Sequence, residues 1–357
     1  TCLVGSEMCI RDRLKESLDK FDIGNSHLMS RMRAELGQQI AGLMPADLDY
    51  TVFGVSGGEA VDLAIKVARA YTGREKIISA KGGYHGHTGL AMSAGDRRYR
   101  EPFHVSAAGF SQVPFGDANR LASILGQDTA AVILETIPAT LGMVMPPPDY
   151  LAAVHDLCDR TGTLLIIDEV QTGLGRTGKL WGFEHFNVVP DIVVLGKGLS
   201  GGIYPITATV LRTPLEQVFH ADPFIHVSTF GGAEVGCCVA RHVLKMSSDP
   251  AFLAHVNALA GDFKDCVKGL LEKYKDFMIE FRQLGLMMGM VFKGETSGQV
   301  VSKTAYDNDL LMVYANNDPS VCQLLPPLIM GRDKMDWVAE RLDRAVAQAR
   351  AFVLRTN

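Results

Sequence analysis

The 357-residue sequence has no surplus of positive charge, because 35 Lys and Arg stand against 40 Asp and Glu. Nucleic acid and anionic membranes are bound by clustered cations, so neither partner is expected. No apolar run approaches the roughly 20 residues that span a bilayer. The seven cysteines form neither CxxC pairs nor a regular framework, which indicates a reducing, cytoplasmic compartment rather than a disulfide scaffold.

Residues 1–13, TCLVGSEMCIRDR, show neither a helical nor a strand period, and they lack the charged-then-apolar order of a signal peptide. The string resembles translated adapter sequence, which contaminates environmental sequence sets. We therefore expect residues 1–13 to be foreign to the protein, with a natural disordered tail as the alternative. On this reading residues 14–46 are the remnant of an N-terminal segment.

What the sequence does contain is a regular alternation of apolar runs and helical patterns. The runs are TVFGV at 51–55, KIISA at 76–80, AAVIL at 130–134, TLLII at 163–167 and DIVVL at 191–195. Continuous apolar strands between helices predict an α/β fold, with a mainly parallel central sheet covered on both faces. We place this large domain at 47–245.

After about Lys245 the hydrophobic pattern changes. It indicates longer amphipathic helices, a short strand pair around 285–292 and a closing helix, DWVAERLDRAVAQARAFV. This pattern predicts a smaller C-terminal α/β domain at 246–357.

Polar residues follow four of the apolar runs. They are Ser56-Gly57-Gly58-Glu59, Glu135, Asp168-Glu169 and Gly196-Lys197-Gly198. Because ligands of such sheets bind at the carboxyl ends of the strands, these positions are candidates for a site.

The turn VSGGEA joins a strand to a helix. Ser56 is placed as N-cap and Glu59 three residues later, which is a capping box. Gly57 and Gly58 let backbone N–H groups approach an anion at the positive helix end, so the turn suits a phosphate. A plain capped helix is the alternative.

Asp168 and Glu169 point to opposite sides of an extended strand end, so they are not expected to form an acid/base dyad. A buried Asp needs a cationic partner to stay ionised. Lys197, flanked by glycines, can have a lowered pKa and act as an amine nucleophile. Singly, each residue could be part of a structural ion pair.

Together, a phosphate turn, a strand-end Asp and a strand-end Lys are the three contacts that pyridoxal phosphate needs. A competing match to GxxxxGK at Gly173–Lys179 is rejected. Leu180 replaces the Ser or Thr that would hold Mg²⁺, and five residues, 168–172, separate the match from the apolar run that ends at 167.

From about Thr51 onward the chain resembles the class III (ω-type) pyridoxal-phosphate aminotransferases of fold type I. The motifs that carry the resemblance are SGGEAVDLAIKVAR, GGYHGHTG, DEVQTGLGRTG, GKGLSGGIYP and HVSTFGG, all in the family's order.

The resemblance implies a role for each matched residue. Lys197 would bind the cofactor covalently and then shuttle a proton, and Asp168 would pair with the ring nitrogen. The remaining cofactor contacts would be Val170 and Tyr84 on the ring faces, Gln171 on the phenolic oxygen, Glu135 in support, and Ser56, Gly57 and Gly58 around the phosphate. Thr229 would complete that cradle from a neighbouring subunit, because the family forms homodimers with shared active sites.

Taken singly, these residues have plain structural readings. Tyr84 and Val170 could be core packing, and Thr229 a helix cap. His85 and His87 would be a satisfied loop pair rather than metal ligands, so no metal is expected.

The sequence departs from the family on the substrate side. Gln323 occupies the place of an Arg that forks a substrate carboxylate in several members. His87 replaces another frequent Arg, and Pro138-Ala139-Thr140 replaces QGE. His87, Thr140 and Gln323 are therefore the candidate substrate contacts, and we expect donor recognition unlike that of the 4-aminobutyrate and ornithine branches.

The resemblance implies a transferase that moves an amino group from an amine or amino acid to a 2-oxo acid or aldehyde, in two half-reactions. An aminomutase or decarboxylase of the same family is the first alternative. A truncated, non-catalytic pyridoxal-phosphate binder is the second.

Overall fold

The computed structural model describes residues 8–24 and 28–356, which form two compact units. The large unit takes its described residues from Thr1–Thr136, Pro146–Leu174 and Lys179–Asp249. The small unit takes them from Ile137–Met145, Gly175–Gly178 and Pro250–Asn357. The domain boundaries expected from the sequence stay a prediction. Within the described ranges, none of the helices is both long and apolar enough to cross a membrane.

The large unit combines seven strands with eight α-helices in the part of the chain that the structure describes. Its strands are β1 (Leu48–Gly54), β2 (Lys76–Ala80), β3 (Phe110–Val113), β4 (Thr129–Glu135), β5 (Leu164–Asp168), β6 (Ile192–Leu195) and β7 (Thr207–Arg212). Its helices are α1 (Met8–Leu18), α2 (Arg31–Ala41), α3 (Gly57–Thr72), α4 (Gly89–Ala94), α5 (Arg97–Arg100), α6 (Ala118–Ile124), α7 (Tyr150–Thr161) and α8 (Glu234–Ser247).

The seven strands form one sheet in the order β1-β7-β6-β5-β4-β2-β3. Strands β2 to β6 pair in parallel, which confirms the expected mainly parallel sheet. Strand β7, which the sequence did not predict, runs antiparallel to both β6 and β1. Its direction follows from the connection, because residues 196–206 link β6 to β7 without the crossover helix that a parallel return requires.

Strand β5 shows why these strands read as continuous apolar runs. Leu165 and Ile167 pack into one apolar cluster with residues of α2, α7 and α8. Ile166, between them, packs into a second cluster with residues of α3. Successive side chains point to opposite faces, so a strand buried on both faces is apolar throughout. The expected helices on both faces are confirmed.

The small unit has a four-stranded antiparallel sheet in the order β10-β11-β9-β8. Its elements are α9 (Pro250–Lys273), β8 (Met278–Leu284), β9 (Met287–Phe292), α10 (Ser297–Tyr306), β10 (Val313–Ala315), β11 (Asp318–Leu324) and α11 (Met335–Thr356). The expected strand pair near 285–292 is the β8–β9 hairpin. Strands β10 and β11 were not predicted.

Gly285 makes the tight turn of this hairpin possible. Its φ of +57° lies in the left-handed region, which residues other than glycine adopt only with strain. A Cβ at this position would stand 2.3 Å from the carbonyl carbon of Thr177. The turn therefore requires glycine for both conformation and space.

Helix α1 corrects one expectation about residues 8–13, for which the sequence showed no helical period. They form the first turns of α1, and Ile10 is fully buried in the core of the large unit. The period appears only when Ile10 is read together with Leu14 and Ser17, beyond the boundary drawn at residue 13. The expectation of foreign sequence for residues 1–7 lies outside the described residues.

Candidate active site

The ends of β4 and β5 bring two predicted site residues together. Glu135 and Asp168 are register partners in the parallel pairing of these strands. Both carboxyl groups are buried, with exposed fractions of 9% and 6%. Parallel strands end at one edge of the sheet, so this edge is where a site is built.

Asp168 is paired with His85, which follows β2. The Nδ1 atom of His85 lies 2.9 Å from Oδ2 of Asp168, and the backbone N–H of Val170 donates to Oδ1 at 3.1 Å. Burial alone would lower the pKa of His85, but its hydrogen bond to Asp168 and the charge of that carboxylate together raise it. His85 is thus the basic partner of this buried carboxylate, and the pairing favours the charged form of the imidazole.

In the sequence, His85 stood as one of a loop pair and was not connected with Asp168. The signal was the requirement for a cationic partner, combined with a histidine at the end of a neighbouring strand. Which histidine meets Asp168 depends on the order of the strands in the sheet, and a single sequence does not reveal that order.

Glu135 supports the loop that carries His85. Its Oε1 accepts the backbone N–H of Tyr84 at 3.0 Å. Burial raises the pKa of Glu135 to about 7; the charge of Asp168 adds to this effect, whereas His85 and Lys197 oppose it. Glu135 therefore titrates near neutrality, beside the Asp168–His85 pair.

Lys197 opens a short 3₁₀ helix directly after β6, Lys197–Ser200. Its φ of +40° is a left-handed conformation, and backbone strain of this kind is typical of functional sites. The amine donates to Oε1 of Gln171 at 3.1 Å. Although the residue as a whole is exposed, protein atoms surround the amine, and this desolvation lowers the pKa of Lys197 against the opposing charges of Asp168 and Glu135.

Val170 lies between two glycine turns. An added Cβ on Gly57 would contact the Val170 side chain at 3.4 Å, and one on Gly196 would contact it at 3.2 Å. The same segment thus directs Asp168 to His85, Val170 to the glycine turns and Gln171 to Lys197.

The turn before α3 has an N-cap as predicted, with one difference. The Ser56 side chain accepts the N–H of Glu59 at 3.3 Å. The Glu59 carboxylate, however, accepts the N–H of Val55 at 2.6 Å rather than that of Ser56. The reciprocal half of the expected capping box is therefore shifted by one residue, because the extended chain before the cap presents the Val55 N–H to the carboxylate.

This turn fits a phosphate. As first residues of α3, Gly57 and Gly58 have N–H groups that no acceptor within the helix can satisfy. A Cβ on Gly58 would stand 2.7 Å from Oγ1 of Thr88. That buried hydroxyl has no hydrogen-bond partner among the described residues. An anion at the positive helix end would meet these donors. Thr88 was not singled out from the sequence.

Tyr84 belongs to a cluster of three aromatic rings. Its ring centroid lies 5.2 Å from that of His87 and 5.4 Å from that of Tyr99, and all three pairs meet edge to face. Burial raises the pKa of Tyr84. Tyr99, on α5, was not predicted, because nothing in the sequence places that helix beside the YHGHT loop.

Thr229 lies in an exposed segment of the large unit. Its apolar neighbours are also exposed, namely Phe224, Ile225, Val227 and Phe230. Exposed apolar side chains that are close together in the sequence are typical of surfaces that bind another molecule.

Thr140 and Gln323 lie in the small unit. The side-chain N–H₂ of Gln323, a residue only 7% exposed, donates to the carbonyl of Ala139 at 3.3 Å and approaches that of Tyr314 at 3.5 Å. The carbonyl of Thr140 accepts the N–H of Asn317 at 2.8 Å. The Gln323 amide therefore donates to the protein itself.

Comparisons with known proteins agree over almost the whole chain. A family model described as "Aminotransferase class-III" matches residues 9–346. An uncharacterized aminotransferase of Archaeoglobus fulgidus is 54% identical over 333 residues, which are 93% of this chain and 78% of that protein.

Solved structures are similar as well. The ornithine aminotransferase of Toxoplasma gondii has a TM-score of 0.89 at 26% identity, covering 96% of this chain and 82% of that one. The taurine:2-oxoglutarate aminotransferase of Bifidobacterium kashiwanohense, solved with PLP and glutamate, has a TM-score of 0.91 at 25% identity, covering 97% and 86%.

Proposed function

The chain belongs to the class-III aminotransferases and is a pyridoxal-phosphate-dependent transaminase, and on that premise we propose that Lys197 is its reactive amine. One observation carries this assignment. The Lys197 amine lies at a strand end and bonds to Gln171, in the same four-residue segment that holds the buried Asp168–His85 pair.

When bound, pyridoxal phosphate supplies an electron sink for charge that develops at the substrate's amino-bearing carbon. Asp168, held by His85, would keep a proton on the ring nitrogen. Val170 and Tyr84 would cover the two ring faces, and Gln171 would orient the phenolic oxygen. Glu135 would hold the Tyr84 loop in place.

Lys197 would give and receive the proton at the substrate carbon. A lowered pKa increases the fraction of neutral amine near neutrality, and only the neutral amine can act as a base or nucleophile. Desolvation of the amine and the neutral character of its acceptor, Gln171, favour this form.

Ser56, Gly57 and Gly58 would bind the phosphate, and Thr229 of a second copy of the chain would complete the cradle. The support for a homodimer with shared sites is the exposed apolar segment around Thr229, in particular Phe224 and Phe230. Covering such side chains in a second subunit removes apolar surface from water.

The candidate substrate contacts support an amino donor whose carboxylate is not bound by a bidentate Arg. Gln323 already uses its N–H₂ group on Ala139 and Tyr314, so a contact between Gln323 and the substrate would be made by its acceptor oxygen rather than by a cationic donor. His87, in the aromatic cluster, and Thr140 would be the other substrate contacts. This arrangement favours an amine, or an amino acid bound unlike glutamate.

Absorbance spectroscopy of the holoenzyme tests this function. Adding an amino donor should bleach the band of the bound cofactor, and adding an oxo acid should restore it. A comparison of donors then tests the substrate proposal. A persistent band with every donor would contradict catalysis, and a strong preference for glutamate and 2-oxoglutarate would contradict the role given to Gln323.

A further inference from the structure

Glu169 is buried beside the site but directed away from it. Only 2% of its surface is exposed. Its carboxylate accepts the N–H of Gly182 at 2.7 Å, the N–H of Phe183 at 3.1 Å and the hydroxyl of Thr136. Asp168 bonds to His85 instead, so the two adjacent carboxylates diverge as expected for an extended strand end.

The donors around Glu169 are all neutral. Burial raises the pKa of Glu169 to about 7, with these hydrogen bonds opposing the effect. A buried carboxylate without a cation is costly. An apolar residue in its place would leave the N–H groups of Gly182 and Phe183 and the Thr136 hydroxyl without this acceptor, so the carboxylate is the group that joins these donors to the 168–171 segment.

Two glycines leave room for these bonds. A Cβ on Gly182 would stand 2.9 Å from Oε1 of Glu169, and one on Gly173 would stand 3.0 Å from the Glu169 carbonyl oxygen and 3.4 Å from Oε2. The wall that presents the Gly182 and Phe183 N–H groups is itself fixed, because Trp181 and Phe183 are buried in the core.

Glu169 lies in the middle of the segment that carries the site. Asp168 before it bonds to His85, Val170 after it packs between Gly57 and Gly196, and Gln171 receives the Lys197 amine. The strand ends at Asp168 and the chain then turns, with the N–H of Gly173 donating to the Glu169 carbonyl at 3.0 Å. Fixing the Glu169 side chain therefore fixes the start of the turn that carries Val170 and Gln171.

We propose that Glu169 is a positioning residue, which ties the 168–171 segment to β4 and to the Trp181–Phe183 wall and so aims Val170 and Gln171 at the cofactor. The proposal rests on the function given above. Glu169 itself does not contact the cofactor. Its effect reaches the Lys197 amine through Gln171.

The test compares Glu169→Gln with a matched control, Glu184→Gln. Glu184 belongs to the same loop and accepts the N–H of Trp181 at 2.9 Å, so its carboxylate is engaged within the wall rather than with the 168–171 segment. For each variant and the wild type we would measure three quantities: the dissociation constant of pyridoxal phosphate from the apoenzyme, the pH midpoint of the bound cofactor's absorbance, and the melting temperature of the apoenzyme.

Glu169→Gln replaces one acceptor oxygen with an N–H₂ group, which would face the N–H and O–H donors that now bind the carboxylate. This change should therefore weaken cofactor binding about tenfold and shift the absorbance midpoint. Glu184→Gln should change the melting temperature alone. Thr136→Val removes one donor and should shift both cofactor quantities in the same direction, less strongly. Combined with Glu169→Gln it should add little, because both changes break one contact.

A Glu169→Gln variant with wild-type affinity and midpoint would overturn the proposal, whatever its melting temperature. If Glu169→Gln does not fold, Thr136→Val decides alone, and its wild-type behaviour would overturn the proposal equally. Failure of the underlying function is distinguishable, because the wild type itself would then give no borohydride-reducible adduct.

Discussion

At the residue scale, the site depends on a small set of buried titratable groups whose neighbours set their charge. Asp168 is hydrogen-bonded to His85, burial raises the pKa of Glu135 to about 7, and desolvation lowers the pKa of Lys197, whose amine donates to Gln171. The sequence identified Asp168, Glu135 and Lys197 from their positions after apolar runs. It did not reveal that His85 meets Asp168, because that contact depends on which strands are neighbours.

Asp168→Asn should lower kcat by about 100-fold or more, because the neutral amide no longer favours a proton on the ring nitrogen. The fold should persist, since the amide keeps the shape and one acceptor. Asp156→Asn, on the exposed face of α7, is the matched control and should leave kcat unchanged. Wild-type turnover in Asp168→Asn would contradict the assignment.

Glu135→Gln should change the pH dependence of stability in the apoenzyme. The folded-state pKa of about 7 lies above the ordinary value of 4.5, so the folded chain holds an extra proton between these values. Glu135 therefore lowers the free energy of unfolding as pH rises from about 4.5 to 7. Gln removes this loss, so urea denaturation should show Glu135→Gln gaining on the wild type by about 1–3 kcal/mol from about pH 5 to pH 8. A pH-independent difference would contradict the burial of this carboxyl group.

At the element scale, the strands with long continuous apolar runs were predictable, and β3, β7 and β11 were not. A run such as TLLII is easily recognised as a strand because its residues are apolar on both faces. Strand β3 (FSQV), in contrast, is polar at its two central positions. Strand β7 was missed because its antiparallel return follows a loop rather than a helix. Strand β11 (DPSVCQL) is apolar only in its second half, so its period is too short to read.

Gly285→Ala should destabilise the β8–β9 hairpin by about 2 kcal/mol or more, because the left-handed conformation and the approach to Thr177 both exclude a Cβ. Gly261→Ala is the matched control. Its Cβ would meet nothing within 4 Å on helix α9, so it should stabilise the protein by about 0.5–1 kcal/mol. Chemical denaturation measures both, and equal effects of the two changes would contradict this explanation of the turn.

At the scale of the whole molecule, the family and its cofactor were predictable because five motifs recur in order. Subunit sharing and donor choice follow only from the resemblance and stay predictions. Those two properties depend on surfaces that a single chain does not complete. Thr229 is exposed, as its proposed role in the site of a second copy requires.

Mixing subunits tests that sharing. Lys197→Ala and Thr229→Val homodimers should each be impaired, the first without its amine and the second with weakened cofactor binding. A mixed dimer would contain one site with both Lys197 and Thr229 intact. Reassembled mixtures should therefore exceed the summed activity of the separate variants, and purely additive activity would contradict a site shared between subunits.

The central claim is that Lys197 is the amine that binds the cofactor, and borohydride reduction followed by peptide mass spectrometry tests it most directly. The wild type should carry a reduced pyridoxal-phosphate adduct on Lys197. Lys197→Ala should carry none while still binding the cofactor non-covalently. An adduct on another lysine of the wild type, or an undiminished adduct in Lys197→Ala, would contradict the claim.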